Sequence, residues 1–225
     1  MHIRQSRPER DQRYYQELAA GLVEIVVDLR SKLEEENAQK IKVLDVGCGK
    51  GEVLRELVEN GIDCAGADID DECVRTSSRF APVYKANFMT LAEDLPNHDF
   101  TVVIASHVLE HVDTPKEALH QIARIGAEYL IVAVPNLGRI SFTSKVPLVN
   151  RGHQMGWNAP HLRTLLEVQG GFEVLEWRRD QVFIGKFGSL PAPLSAITRF
   201  IETKLLPAVF PTQGNSLICL CKTKS

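Results

Sequence analysis

Val43-Leu44-Asp45-Val46-Gly47-Cys48-Gly49-Lys50-Gly51 is a short apolar run that breaks into three glycines at alternate positions. A run of this length between polar flanks reads as a buried strand. Glycines placed directly after it permit positive φ and let a ligand approach the backbone closely. Working outward, further strands are expected at residues 41–46, 62–67, 82–86, 100–105 and 128–134, with helices starting near Glu52, Asp71 and Thr114. Upstream, Leu18, Leu22, Ile25, Val26, Leu29 and Leu33 recur at helical spacing, so residues 9–36 read as one amphipathic helix. Strands alternating with helices at this pitch require right-handed crossovers and give an α/β chain with a parallel sheet.

Local signals sharpen this outline. Gly61 suits a left-handed helix terminus. Thr114 can cap the next helix, with Pro115 in the first turn and Glu117 at the third position. After Val134 the rhythm breaks. Residues 136–158 are polar and contain glycine, a helix is expected over 160–169, and a strand follows near Phe172–Arg178. One short amphipathic helix fits the proline-punctuated stretch 190–211, and a last strand fits 216–222.

Composition narrows the function classes. The 225 residues are 44% hydrophobic and 24% charged, which supports a buried core. The net charge of −3 gives no general affinity for nucleic acid. No apolar run reaches the roughly 20 residues needed to span a bilayer, and the start has no hydrophobic signal core. The five cysteines lack paired spacing, so they read as reduced thiols in a cytoplasmic protein. Charge is uneven: residues 41–135 hold 8 basic and 16 acidic side chains, and residues 136–225 hold 11 and 5. That contrast suits a cation-binding half followed by an anion-facing half, or an unevenly composed solvated surface.

The glycine loop can hold several kinds of ligand, and spacing separates them. A dinucleotide fingerprint would need its sixth position to be glycine, where Glu52 stands. A phosphate loop would need Ser or Thr after Gly49-Lys50, where Gly51 stands. Asp45, expected to point toward the loop mouth, repels a pyrophosphate and attracts a cation. Asp68, at the end of the second strand, can accept hydrogen bonds from both hydroxyls of a ribose. S-adenosylmethionine meets these demands: it carries a nucleoside, no phosphate, a sulfonium and an ammonium.

Residues 45–51 with Ala67-Asp68, Ala86-Asn87-Phe88, Ala92-Glu93-Asp94-Leu95-Pro96 and Ser106-His107-Val108-Leu109-Glu110-His111-Val112 resemble the class I S-adenosylmethionine-dependent methyltransferases. The resemblance covers about residues 41–136. It implies a Rossmann-like seven-stranded sheet in the order 3-2-1-4-5-7-6, flanked by helices, with the last strand antiparallel. It also implies a single domain with a helical lid (1–40), a cofactor-binding core (41–136) and a substrate-side region (137–225). Gly47, Cys48, Gly49 and Gly51 would surround the methionine portion, and Asp45 would act near the ammonium. Asp68 and Ile69 would hold the nucleoside, with Asn87 and Phe88 at adenine, and Ser106 and His107 beside the sulfonium. A shorter likeness, from Arg124 to Gly126 and Ala133 to Gly138, is to the methionine-biosynthesis protein W branch.

Methyl transfer from a sulfonium is an in-line displacement, so positioning and fixed charge are the protein's main contributions. His107, at the end of the fourth strand, is the best-placed candidate base, and as well suited to shaping the pocket. His153 and His161 are further candidates in the region that contacts acceptors in this family. Tyr14 and Tyr15 can lie over the cofactor. The chemistry requires no metal, and the i, i+4 pair His107 and His111 lacks the arrangement of a zinc motif. The expected acceptor is a small molecule, with no nucleic-acid partner and no membrane span in the protein. It is anionic if Arg139, Lys145, Arg151 and Arg163 face it, or lipophilic if the apolar stretch 183–210 does. A cofactor-binding but catalytically silent regulatory subunit is the alternative.

Overall fold

The computed structural model describes residues 9–35, 40–96, 99–138, 152–182 and 194–224. Seven strands form one sheet: β1 (Lys42–Val46), β2 (Asp63–Asp68), β3 (Val83–Lys85), β4 (Val102–Ser106), β5 (Tyr129–Pro135), β6 (Phe172–Arg178) and β7 (Ser216–Thr223). Their order is β3-β2-β1-β4-β5-β7-β6. The pairs from β3 through β5 are parallel, and β7 runs antiparallel to both neighbours. The expected architecture is therefore present, with strand ends within two residues of those read from the sequence.

Side-chain alternation explains why helices cover both faces. Val43, Ile104, Ile131 and Ala133 point to one side, where α1 (Glu9–Glu35) and α2 (Glu52–Glu59) supply Leu22, Val26, Leu54 and Leu57. Leu44, Val103, Ala105, Leu130 and Val132 point to the other. There α5 (Pro115–Ile125) and α6 (Ala159–Thr164), which continues to Gln169 as one wider turn, supply Leu119, Ile122 and Leu166. The helix at residues 9–35 is thus half of one core rather than an appended segment. Arg178 on β6 reinforces it by reaching Asp28 at 2.7 Å. The remaining helices are α3 (Asp71–Ser77), α4 (Leu91–Asp94), α7 (Leu194–Phe200) and α8 (Leu206–Val209). The last two are joined by another wide turn at Ile201–Leu205.

Two local expectations meet different fates. Gly61 has φ +65°, and the amides of Gly61 and Ile62 return to Val58 and Leu57 as a left-handed terminus requires. Thr114 does not cap α5 with its side chain. Its hydroxyl lies 3.9 Å from the Met89 sulfur, and its carbonyl accepts from Ala118 N at 3.2 Å, so backbone alone begins the helix. All five cysteines are free and buried, and Cys219 and Cys221 lie with their sulfurs 3.7 Å apart on one strand face.

The chain runs outward from β1 to β3 and then crosses to β4. This leaves a crevice at the carboxyl ends of β1 and β4, where the winding reverses. Among the described residues no helix is long and apolar enough to cross a membrane.

Leu22 is fully buried between α1 and the sheet. Leu22→Ala is expected to lower unfolding free energy by about 2–5 kcal/mol, read from urea denaturation. A loss below about 1 kcal/mol would mean that α1 is not part of the core.

Candidate functional site at the carboxyl edge of the sheet

The loop after β1 is built on left-handed glycines: φ is +70° at Gly47, +55° at Gly49 and +84° at Gly51. A Cβ on Gly47 would stand 2.8 Å from the Val108 side chain, and one on Gly51 2.9 Å from the Phe80 ring. Both positions thus exclude side chains by space as well as by φ. The loop is tied to β2 by Gly47 N and Cys48 N donating to Ala67 O, at 2.7 and 3.2 Å. Gly49 N donates to Asp68 Oδ2 at 2.8 Å, and Asp70 N donates to Asp68 Oδ1 at 2.9 Å. The Asp68 carboxylate is therefore fixed at the crevice, with lone pairs on both oxygens left for a ligand. Beyond it the Ile69 side chain is 62% exposed, and Asp70 turns away to cap α3 through the amides of Glu72 and Cys73.

Asp45, expected to point toward the loop mouth, sits deep in the fold near the end of β1. It is 2% exposed, and its Oδ2 has no hydrogen-bond partner. Burial pushes its carboxyl well above the usual range, and the neighbouring charges of Asp68 and Glu52 push in the same direction. A desolvated, underpartnered carboxylate behind the glycine loop is electrostatically suited to a cation. Cys48 also turns inward: its buried thiol, pushed up by desolvation, lies 3.5 Å from the Ser77 hydroxyl. Only its backbone belongs to the loop.

At the end of β3, Asn87 Oδ1 accepts from Met89 N at 3.0 Å, and Asn87 N donates to Asp94 Oδ2 at 2.8 Å. The side-chain NH2 is what remains to it for a ligand. Phe88 is a buried core residue, so its contribution to a site is through its backbone.

At the end of β4, Ser106 is half-buried, and His107 is the sole described non-glycine residue at positive φ, +52°. Such a conformation persists only where its surroundings over-determine it. Here His107 N donates to Ala133 O at 2.8 Å, Nε2 lies 2.8 Å from Ser216 Oγ, and Nδ1 lies 3.4 Å from Glu110 Oε1. The Tyr15 ring stands edge-on to the imidazole at 5.4 Å. Ser216 Oγ is also 2.6 Å from the Tyr14 hydroxyl, which donates to Asp180 Oδ2 at 2.7 Å. Asp180 Oδ2 accepts from Ser216 N as well, at 2.6 Å.

The donors in this chain run in one direction. The single Tyr14 proton goes to Asp180, so Tyr14 accepts from Ser216, and Ser216 accepts from His107 Nε2–H. That order leaves the histidine lone pair on Nδ1, toward Glu110. Tyr14 is therefore a buried structural link and not a cover over the crevice; Tyr15 is the one beside His107. Glu110 is wholly buried, which pushes its carboxyl up to about 7.

The other two candidate histidines separate. The His153 ring stands edge-to-face with His111, centroids 4.9 Å apart. His161, in the first turn of α6 where its amide donates to Asn158 Oδ1 at 3.0 Å, lines a cavity of about 540 Å³ with Thr114, Lys116, Met155 and Trp157. Arg163 is ion-paired with Glu167 at 2.9 Å, which leaves it poorly placed as an anion contact. Arg139, Lys145 and Arg151 lie outside the described residues. Sequence reading missed Glu110, Asp180 and Ser216. The last two stand 166 and 202 residues from Tyr14, so no local spacing connects them.

Residues 12–176 match the methyltransferase domain family. The ubiquinone biosynthesis O-methyltransferase of Rickettsia typhi is 24% identical over 139 residues, covering 60% of this chain and 56% of that protein. Its counterpart from Maricaulis maris is 28% identical over 123 residues, covering 52% and 48%. The chain spans about half the length of the curated relatives it matches. Among solved structures, a SAM-dependent methyltransferase from Archaeoglobus fulgidus superposes with a TM-score of 0.65 at 18% identity. That alignment covers 95% of this chain and 97% of the other, a likeness of fold.

Two outcomes follow from the buried charges. Because the folded state raises the Asp45 carboxyl above its unfolded value, ionised Asp45 opposes folding at neutral pH. The penalty is absent below the unfolded value and grows as pH rises toward the folded one. Asp45→Asn is therefore expected to stabilise the ligand-free protein at pH 7 by about 1–3 kcal/mol, with the gain shrinking toward pH 4 in denaturant titrations. A variant less stable than the parent at pH 7 would contradict this. Tyr14→Phe leaves Asp180 and Ser216 each short of a partner, and should cost about 1–3 kcal/mol by the same measurement.

Proposed function

Because the chain belongs to the methyltransferase domain family, whose cofactor is S-adenosylmethionine, we propose that it methylates a hydroxyl of a lipophilic small molecule. The observation that carries the reading is the left-handed glycine loop clamped to a crevice-facing carboxylate by the bond from Gly49 N to Asp68 Oδ2. No side chain fits at Gly47 or Gly51, which keeps the loop backbone open to close approach by a ligand. The buried, underpartnered Asp45 suits a ligand with positive charge and no phosphate.

In this arrangement Gly47, Cys48, Gly49 and Gly51 hold the methionine portion with their backbone, and Asp45 meets the ammonium, directly or through water. Asp68 takes the ribose hydroxyls. Ile69 covers one face of adenine, while the Asn87 NH2 group and the Phe88 backbone meet its edge. Ser106 and His107 lie beside the reaction centre, and the first turns of α1, carrying Tyr15, serve as a lid. When bound, S-adenosylmethionine supplies a methyl group on a sulfonium, a good leaving group for in-line displacement.

The protein's own task is to orient the acceptor oxygen and to hold its proton. His107 Nδ1, left as an acceptor by the tautomer that Ser216, Tyr14 and Asp180 set, is the atom we assign to that proton. Support for a lipophilic acceptor comes from the exposed Leu194, Ile197 and Phe200 on α7 and from the ubiquinone pathway named for the relatives. Residues 183–193 of the apolar stretch lie outside the described residues.

The test is production of S-adenosylhomocysteine, followed by mass spectrometry with phenolic and catecholic acceptors of increasing chain length. Cofactor binding without turnover on any acceptor would favour a silent partner subunit instead. Asp68→Ala should weaken S-adenosylhomocysteine binding by about 1–3 kcal/mol in calorimetry; unchanged affinity would remove Asp68 from the site. His107→Ala should lower kcat by roughly 10²–10⁴-fold while cofactor affinity stays within about twofold. Equal losses in both would make His107 a pocket residue and not a proton acceptor.

A further inference from the structure

Glu110 has no role in cofactor binding, yet it is wholly buried and neither carboxylate oxygen has a hydrogen-bond partner. His107 Nδ1 lies 3.4 Å from Oε1, but in the tautomer set by Ser216 that nitrogen carries no proton and no charge. A carboxylate taken out of water in this way is costly unless a cation compensates it. The segment after residue 152 is folded against it for reasons visible in the backbone. Glu110 O accepts from Gln154 N at 2.8 Å and from Met155 N at 3.4 Å, which draws His153 over the turn at Leu109–His111.

Gly152 lies against the His111 ring: a Cβ there would stand 3.4 Å from it, ordinary contact distance. His111 Nδ1 lies 2.8 Å from Gly152 O. A carbonyl only accepts, so Nδ1 carries the proton and Nε2 presents a lone pair. A second-sphere carbonyl holding one imidazole nitrogen while the other binds is the usual support of a metal-ligating histidine.

Glu110, His111 and His153 each present one ligand atom, and the three atoms lie within 4.8 Å of one another. We propose that these residues form a binding site for a divalent first-row transition metal. Two imidazoles and one carboxylate favour such an ion over magnesium or calcium, which take oxygen ligands. Ligand atoms about 2.1 Å from a common ion stand roughly 3–4 Å apart, so binding requires only a small contraction. Three protein ligands leave at least one position open. It is His153, from beyond β5, that completes the group, and not the sequence neighbour His107. If the proposed methyl transfer holds, the open position can take the acceptor oxygen and increase its acidity. The binding claim itself does not depend on turnover.

The test uses the full chain, freed of metal by dialysis against a chelator and titrated with Co²⁺ while its visible absorption is followed. Calorimetry with Zn²⁺ gives the affinity. One equivalent is expected to bind saturably, with Zn²⁺ displacing Co²⁺. His153→Ala and the near-isosteric Glu110→Gln should each weaken binding by at least about tenfold. His120→Ala, at an exposed position on α5, should bind as the parent does. Circular dichroism on each variant identifies any that fail to fold, and His153→Ala, at a half-buried loop position, decides if Glu110→Gln does. The absence of saturable binding by the parent overturns the proposal, as does parental affinity in folded His153→Ala. Metal binding without methyl transfer would leave the site standing and remove the proposed function; methyl transfer without metal binding would do the reverse.

Discussion

Three carboxyl groups, Asp45, Asp68 and Glu110, are withdrawn from water at the carboxyl edge of one sheet, and the rest of the molecule is arranged around that cost. They come from the ends of β1 and β2 and from the turn after β4, so the topological crevice and the acidic cluster coincide. Hydrophobic burial on both faces of the sheet supplies the stability that lets such a cluster persist. Residues such as Leu22, Leu44, Ile122 and Phe172 are fully enclosed. Only Asp68 is compensated within the chain on both oxygens, by two backbone amides. Asp45 and Glu110 each retain oxygens without a hydrogen bond. The electrostatic demand of the edge is thus for positive charge brought from outside, which is the property expected of a binding site and not of a structural ion pair.

The architecture was legible because its causes are local. Alternating apolar runs and helix periodicity specify β1 to β5, and the left-handed terminus at Gly61 needs only its own residue. The position of Asp68 could be read for the same reason: it is the last residue of a strand beside a glycine loop. Thr114 was misread as a side-chain cap. A threonine before Pro115 has the right chemistry, but the position of Met89 across the fold drew its hydroxyl elsewhere. Asp45 was read as pointing toward the loop mouth, but its depth was not legible, because strand alternation gives a side and not a depth.

What could not be read is the polar wiring between distant segments. Tyr14, Asp180 and Ser216 meet only because α1 packs on the face of the sheet near the start of β7, and none lies in a recognisable motif. His107 was read from its position as a candidate base or a pocket-shaping residue; that its Nε2 is committed to Ser216 and its backbone is held in the left-handed region was not legible. Asp180 therefore acts on the imidazole at two removes, by deciding which way a row of hydroxyl protons points. This is positioning, distinct from contact with any reacting atom.

The two candidate binding functions make different use of the same turn. In the proposed reading the glycine loop and Asp68 would recognise a nucleoside by backbone geometry, a feature that a fold can retain through many changes of chemistry. The segment from His107 to His111 instead concentrates a strained imidazole, a buried carboxylate and a second imidazole within five residues, against His153 from beyond β5. If transfer chemistry is to be distinguished from mere cofactor binding, the distinction has to reside in this second group. Among the described residues it combines lone pairs, a buried carboxyl and restricted geometry next to the crevice. The backbone clip from Glu110 O to Gln154 N and Met155 N makes that group conditional on the fold beyond β5. The segment beyond β5 thereby helps to assemble the corner where the proposed reaction would take place.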